Sequence, residues 1–173
     1  VIDGSLSMNQ KVDETRTVFD IAKARAVDRI NRNPAGDAYS VLLLKDSPTW
    51  IVSDPSLHAR KVSTAIEDAR PSHGNASVAT PFSMISAKLK EAEGRYKGNQ
   101  AIYFFTDMQR SNWLAAPPST SDLRGDDGKE KATYLDLQAK AKAGTIFVDC
   151  GPLKDNNNVA VTSIGFDQDY FPY

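Results

Sequence analysis

Three short, almost uninterrupted apolar runs constrain this chain more than any other feature: Tyr39 to Leu44 (YSVLLL), Ala101 to Phe105 (AIYFF) and Thr145 to Val148 (TIFV). Runs that do not alternate with polar residues belong to strands buried on both faces. Between them the period changes. Phe19, Ala22, Ala26 and Ile30 recur at three- and four-residue spacing within 12–31, as do Val62, Ala65, Ile66 and Ala69, and again Phe82, Ile85, Leu89 and Ala92. That spacing marks the inward stripe of a helix. A lysine-bearing stretch from Glu130 to Ala143, stopped by Gly144, adds a further helix. Buried strands alternating with helices predict an α/β fold: a doubly wound, mainly parallel sheet with helices on both faces.

The punctuation fills in the rest. Val1-Ile2 reads as the end of a truncated N-terminal strand, so the chain is expected to be a piece of a longer protein. Trp50-Ile51-Val52 is a short strand, and its shortness points to a sheet edge. Asp54-Pro55-Ser56 is expected to open the second helix. Thr80-Pro81 is expected to open the third, with Pro81 at the first helical position, where a missing N–H costs nothing. Residues 112–127, rich in Pro, Ser and Gly, read as an exposed excursion. After Gly151 the character changes to an Asn-rich stretch and then to alternation in Val159 to Phe166. The expected organisation is one domain over 1–151, a linker over 152–158, and a tail over 159–173 that reads as the first strand of a following β domain.

Composition removes several function classes. The 173 residues carry 21 Lys and Arg against 22 Asp and Glu, so no nucleic-acid-binding surface covers the whole molecule. The single cysteine, Cys150, excludes an internal disulfide and a CxxC site. No apolar run approaches the ~20 residues of a membrane span, so membrane insertion by this segment is not expected. There is no GxxxxGK[ST] loop for nucleotides and no GxSxG elbow for acyl transfer.

In open α/β sheets, ligands gather at the carboxyl ends of the strands. The first strand is followed by Asp3-Gly4-Ser5-Leu6-Ser7-Met8, and AIYFF is followed by Thr106-Asp107-Met108. The helix opened by Thr80 should present its N-terminus to the same edge. Two carboxylates and three hydroxyls are hard oxygen donors, and such a sparse set suits Mg²⁺ or Mn²⁺, which keep several waters.

Asp3-x-Ser5-x-Ser7, a separate Thr80, and Asp107 after a buried strand resemble the metal-ion-dependent adhesion site of von Willebrand factor type A domains. The likeness covers roughly 1–151. A closer likeness is to the membrane-anchored bacterial aerotolerance-regulator, or Bat-type, branch. It is carried by Thr106 to Trp113 (TDMQRSNW), Pro71 to Gly74 (PSHG) and Asn158 to Thr162 (NVAVT). The resemblance implies that Ser5 and Ser7 ligate the metal directly and that Thr80 does so directly or through water. It implies that Asp3 and Asp107 act mainly through bridging waters. It further implies a protein partner that offers an Asp or Glu to the ion, and a parent protein anchored in a bacterial cell envelope. Leu6, Met8, Met108 and Arg110 are expected to form a rim for that partner. Two positions depart from the family's habit: Leu6 replaces a small residue, and Met108 replaces the Gly that usually follows the aspartate.

Ordinary readings stand beside these. Asp3, Ser5 and Ser7 are also good turn formers. Thr80 is a good N-cap, a role compatible with ligation. Asp107 also suits a capping position. Trp113 reads as packing rather than rim, His58 and His73 as surface residues, Cys150 as inert packing, and Lys129, Lys131, Lys140 and Lys142 as a solvated face. No catalytic residue is expected. The rival function class is a metal-dependent hydrolase or phosphatase, which wants a base beside the ion; an aspartyl-nucleophile phosphatase wants an Asp where Ser5 stands. A third class is a structural domain with a non-functional metal site.

Overall fold

The computed structural model describes residues 1–33, 36–74, 79–93, 95–96, 100–108 and 144–151. In chain order these form β1 (Ile2–Asp3), a 3-10 turn (Leu6–Asn9), α1 (Val18–Asn31), β2 (Tyr39–Leu44), β3 (Thr49–Ser56), α2 (Ala59–Glu67), α3 (Ala79–Glu93), β4 (Ile102–Thr106) and β5 (Thr145–Asp149). The strands make one sheet in the order β3-β2-β1-β4-β5. β1 runs parallel to both of its neighbours, with Ile2 opposite Leu43 on one side and Phe105 on the other, and β4 runs parallel to β5. Only β3 is antiparallel to its neighbour.

The apolar runs build this sheet because successive side chains in a strand point to opposite faces. Val41 and Leu43 of β2 join Ile2 and Phe105 in a cluster with Val18, Phe19, Ala22, Ala26 and Ile30 of α1 and Val62 and Ile66 of α2. Leu42 and Leu44 join Ile102 and Phe104 in a second cluster with Phe82 and Ile85 of α3. Phe104 stacks on Phe147 at 5.0 Å and meets Phe82 edge-on at 6.0 Å. One run therefore feeds two cores, and the helices lie on both faces: the expected doubly wound, mainly parallel α/β architecture.

Five local expectations are corrected. The helix expected from residue 12 starts at Val18. Thr17 caps it, accepting a hydrogen bond from the Asp20 backbone N–H (3.2 Å), while the Asp20 carboxylate accepts from the Thr17 N–H (2.9 Å). This reciprocal capping box outweighs the apolar periodicity that Val12 extends upstream. Asp54-Pro55-Ser56 does not open a helix: it ends β3, and α2 begins at Ala59. Pro55 is tolerated because β3 is an edge strand whose register with β2 shifts between the pairs Val41–Val52 and Tyr39–Ser56. β3 thus lies at an edge as expected, but at 8 residues it is not short. α3 begins at Ala79, which puts Pro81 inside the first turn rather than at its first position. The run expected as a third buried strand, β5, is last in the sheet order; Ile146 is 37% exposed and Asp149 is exposed. The excursion 112–127, the helix over 130–143, the linker and the tail lie outside the described residues.

Two predictions follow from local geometry. A Cβ on Gly4 would sit 2.9 Å from the Leu44 carbonyl oxygen and 2.9 Å from Leu43 Cδ1. Backbone cannot yield there, so Gly4→Ala should destabilise the domain by about 1–3 kcal/mol, the cost of overpacking, read by urea unfolding. The Thr17 donors, the backbone N–H first, hold the Asp20 carboxyl below its ordinary value. A depressed carboxyl stabilises the fold fully above the unfolded value of ~3.9 and loses that contribution as pH falls through the folded one. The stability gap between the native chain and Asp20→Asn should therefore be largest near neutral pH and close progressively below about pH 4.

Candidate metal centre

The centre grows from the carboxyl end of β1, the strand in the middle of the sheet. Asp3 is its last residue and is 1% exposed. A buried carboxylate needs donors on both oxygens, and it has them. Oδ1 accepts from the Ser5 backbone N–H at 2.9 Å, and Oδ2 accepts from the Thr106 hydroxyl at 2.8 Å. The first bond closes a tight Asx-type turn, which the Asp-x-Ser spacing permits. The turn carries Ser5, also 1% exposed, to a position where its Oγ lies 3.1 Å from Ser7 Oγ. Three of the expected residues are thus brought together at one point.

A close backbone braid holds this loop. Gly4 donates to the Leu44 carbonyl at 2.7 Å and its own carbonyl accepts from Ser72 N–H at 2.7 Å. Leu6 N–H donates to the Gly74 carbonyl at 3.1 Å, and Asn9 Nδ2 donates to the Ser72 carbonyl at 3.1 Å. The Pro71 to Gly74 segment therefore lies against the Asp3–Ser7 loop, with His73 exposed on it. His73 is the surface residue the sequence suggests, whereas Ser72 and Gly74, to which the sequence analysis assigns no part, hold the loop.

Asp107 directly follows β4, whose parallel pairing sets Phe105 opposite Ile2. The two aspartates therefore leave adjacent strands at the same edge, and Asp107 is half-buried. Thr80 lies in the first turn of α3, as expected of a residue near that helix's N-terminus. Arg110 lies outside the described residues.

The rim needs one correction. Leu6 and Met108 are 50% and 46% exposed, as a partner surface requires, but Met8 is 0% exposed and belongs to the α1-side core. The 3-10 turn Leu6–Asn9 causes this. With three residues per turn, Leu6 and Met8 fall on different sides, and Met8 takes the inner one. Met108, where the family resemblance implies Gly, has φ +55°. The backbone keeps the left-handed conformation that Gly adopts freely, and the departure adds an exposed apolar side chain. Cys150 is 0% exposed, and burial pushes its thiol up to about 11, in keeping with inert packing.

Among the described residues no group of three or more His, Cys, Asp or Glu is arranged to hold a metal. The donor set at this edge is of another kind: two adjoining hydroxyls backed by a fully hydrogen-bonded carboxylate. Hard oxygen donors carrying little charge fit a small divalent cation that retains water. A cavity of about 660 Å³ opens instead at the amino ends of β2 and β4, beside Tyr39, Ile102 and Arg29, and none of the five candidate ligands lines it.

The von Willebrand factor type A domain matches residues 1–109, and the chain belongs to that family. Solved structures with a similar fold include the conserved hypothetical protein BatB from Bacteroides thetaiotaomicron, at 12% identity and TM-score 0.55, covering 86% of this chain and 87% of that one. An aerotolerance-related membrane protein from Bacteroides fragilis aligns at 14% identity and TM-score 0.49 over 86% and 89% of the two chains. An uncharacterized membrane-spanning protein from Vibrio fischeri aligns at 14% identity and TM-score 0.47 over 59% of this chain; the match spans 51% of that protein. No curated protein matches.

The geometry at Met108 makes a stability prediction. Met108→Gly should be neutral or stabilising, because it relieves left-handed strain of about 1–2 kcal/mol against the added flexibility of the unfolded chain. Met108→Val, β-branched in the same conformation, should destabilise by about 1 kcal/mol or more. Thermal unfolding of the two variants side by side checks the contrast.

Proposed function

We propose that this domain binds a protein partner through a divalent cation, Mg²⁺ or Mn²⁺, and that it is the extramembrane part of a membrane-anchored bacterial envelope protein of the Bat type. The observation that carries the reading is the paired Ser5 and Ser7 hydroxyls, 3.1 Å apart, set by a turn that a buried Asp3 closes. Ser5 and Ser7 would hold the ion directly, Thr80 directly or through water, and Asp3 and Asp107 through bridging waters. The bound cation supplies a Lewis-acidic point that stays under-neutralised by so few charges. An acidic side chain of the partner satisfies it. Exposed Leu6 and Met108 surround that point with apolar surface, which lowers the local dielectric and strengthens an ion–carboxylate contact. The fold of BatB, a family relative in shape, supports the Bat-type assignment.

Calorimetry should find Mg²⁺ binding with a dissociation constant on the order of micromolar to millimolar, as expected for few, mostly neutral ligands. Asp3→Asn keeps the volume of Asp3 but turns one of its two accepting oxygens into a donating amide that meets either the Ser5 N–H or the Thr106 hydroxyl. It should abolish that binding, with circular dichroism checking that the domain stays folded. Capture from native membranes in Mg²⁺ against EDTA then identifies the partner, whose interface Asp and Glu residues are replaced singly by Ala. Capture that persists in EDTA, or survives every replacement, excludes a metal bridge. Turnover of ester or phosphate substrates in the same Mg²⁺ preparations would move the domain to the hydrolase class.

A further inference from the structure

Thr106 was no candidate in the sequence, yet it stands at the junction of everything the centre depends on. It is the last residue of β4 and is 0% exposed. Its carbonyl accepts from Cys150 N–H at 2.7 Å, which fixes it to the turn after β5. Its hydroxyl has two partners: Asp3 Oδ2 at 2.8 Å and Met108 N–H at 3.2 Å. The direction of these bonds is forced. A backbone N–H only donates, so the hydroxyl accepts from Met108. Its single proton is then left for the carboxylate. A one-way chain runs from the strained, exposed Met108 backbone through Thr106 to the carboxylate that sets the Ser5 turn.

We infer that Thr106 is a positioning residue of the metal centre. It orients Asp3 and, through the same hydroxyl, holds Met108 in its left-handed conformation, so that the cation loop and the partner rim are set by one side chain. This rests on the metal reading above. Two features separate the role from plain packing. The backbone carbonyl of Thr106 is satisfied separately by Cys150 N–H, whereas the hydroxyl makes the side-chain hydrogen bonds to Asp3 and Met108. Outer groups that orient a metal's carboxylates also affect affinity without touching the ion.

The test uses the chain as it stands and three variants. Thr106→Val keeps the shape and deletes the hydroxyl. It should weaken Mg²⁺ binding in calorimetry by about 10-fold or more, and the Met108 amide should exchange with deuterium faster even with no metal present. Thr106→Ser keeps the hydroxyl and should restore both. If Thr106→Val does not fold, Thr106→Ala removes the same hydroxyl without placing a methyl against Asp3 and is read the same way. A native chain that binds Mg²⁺, with a hydroxyl-less variant that binds it equally well, overturns the positioning role alone. Unchanged Met108 exchange in that variant overturns the link to the rim. Failure of Thr106→Ser to restore binding assigns the effect to packing and likewise overturns the proposal. A native chain that takes up no Mg²⁺ overturns the metal reading, and the positioning role with it.

Discussion

The burial of the Asp3 carboxylate organises this molecule. An ionised group with almost no access to water is costly unless donors surround it, and removing one partner leaves an uncompensated charge. The fold supplies those donors from two directions. One comes from the chain immediately ahead, Ser5 N–H, and one from across the sheet, the Thr106 hydroxyl. The second is available only because β1 is the central strand and runs parallel to β4, so that both strands end at the same level. Sheet order is therefore not a background to the site; it sets where the carboxylate's second donor comes from.

That requirement spreads outward. Holding Asp3 at the end of β1 forces the chain to turn at once past Leu44, and the space is so narrow that residue 4 carries no side chain. The turn exposes backbone groups, which the Pro71 to Gly74 segment satisfies through Gly4 and Leu6. On the other side Met108 accepts a left-handed backbone. A position where the family resemblance implies Gly is here filled by a residue in a strained backbone that adds apolar exposure. Strain kept at a site edge is the kind of cost that tends to be held where function needs a fixed shape. Leu6 and Met108 expose apolar side chains at this end of the sheet, while a large cavity lies at the other end of the strands.

Much was legible before the fold was known, because it depends on neighbours in sequence. The apolar runs of β2 and β4, the periodic stripes of α1 and α3, and the Asp3-x-Ser5-x-Ser7 turn are local patterns, and local patterns are what a sequence displays. The capping box at Thr17 and Asp20 is just as local and was available to read; the apolar Val12 upstream masked it. Pro55 shows the opposite failure. Its fixed φ suits the first turn of a helix, but an edge position with a register shift accommodates it equally well, and only strand pairing tells the two apart.

What tertiary structure alone decided is every relation between distant segments. Thr106 and Asp3 are 103 residues apart in the chain, and no spacing rule connects a strand's last hydroxyl to another strand's last carboxylate. The inward turn of Met8 required a 3-10 geometry that hydrophobicity by itself does not specify, since an apolar residue after a site motif suits a rim as well as a core. The half-exposed faces of β5 required knowing that nothing in the described sheet pairs beyond it. The elements, the class of fold and the hydroxyl-carboxylate motif are readable along the chain, because these follow from periodicity and backbone preference. The structure decided which groups satisfy one another, because burial makes hydrogen-bond pairing compulsory without naming the partner.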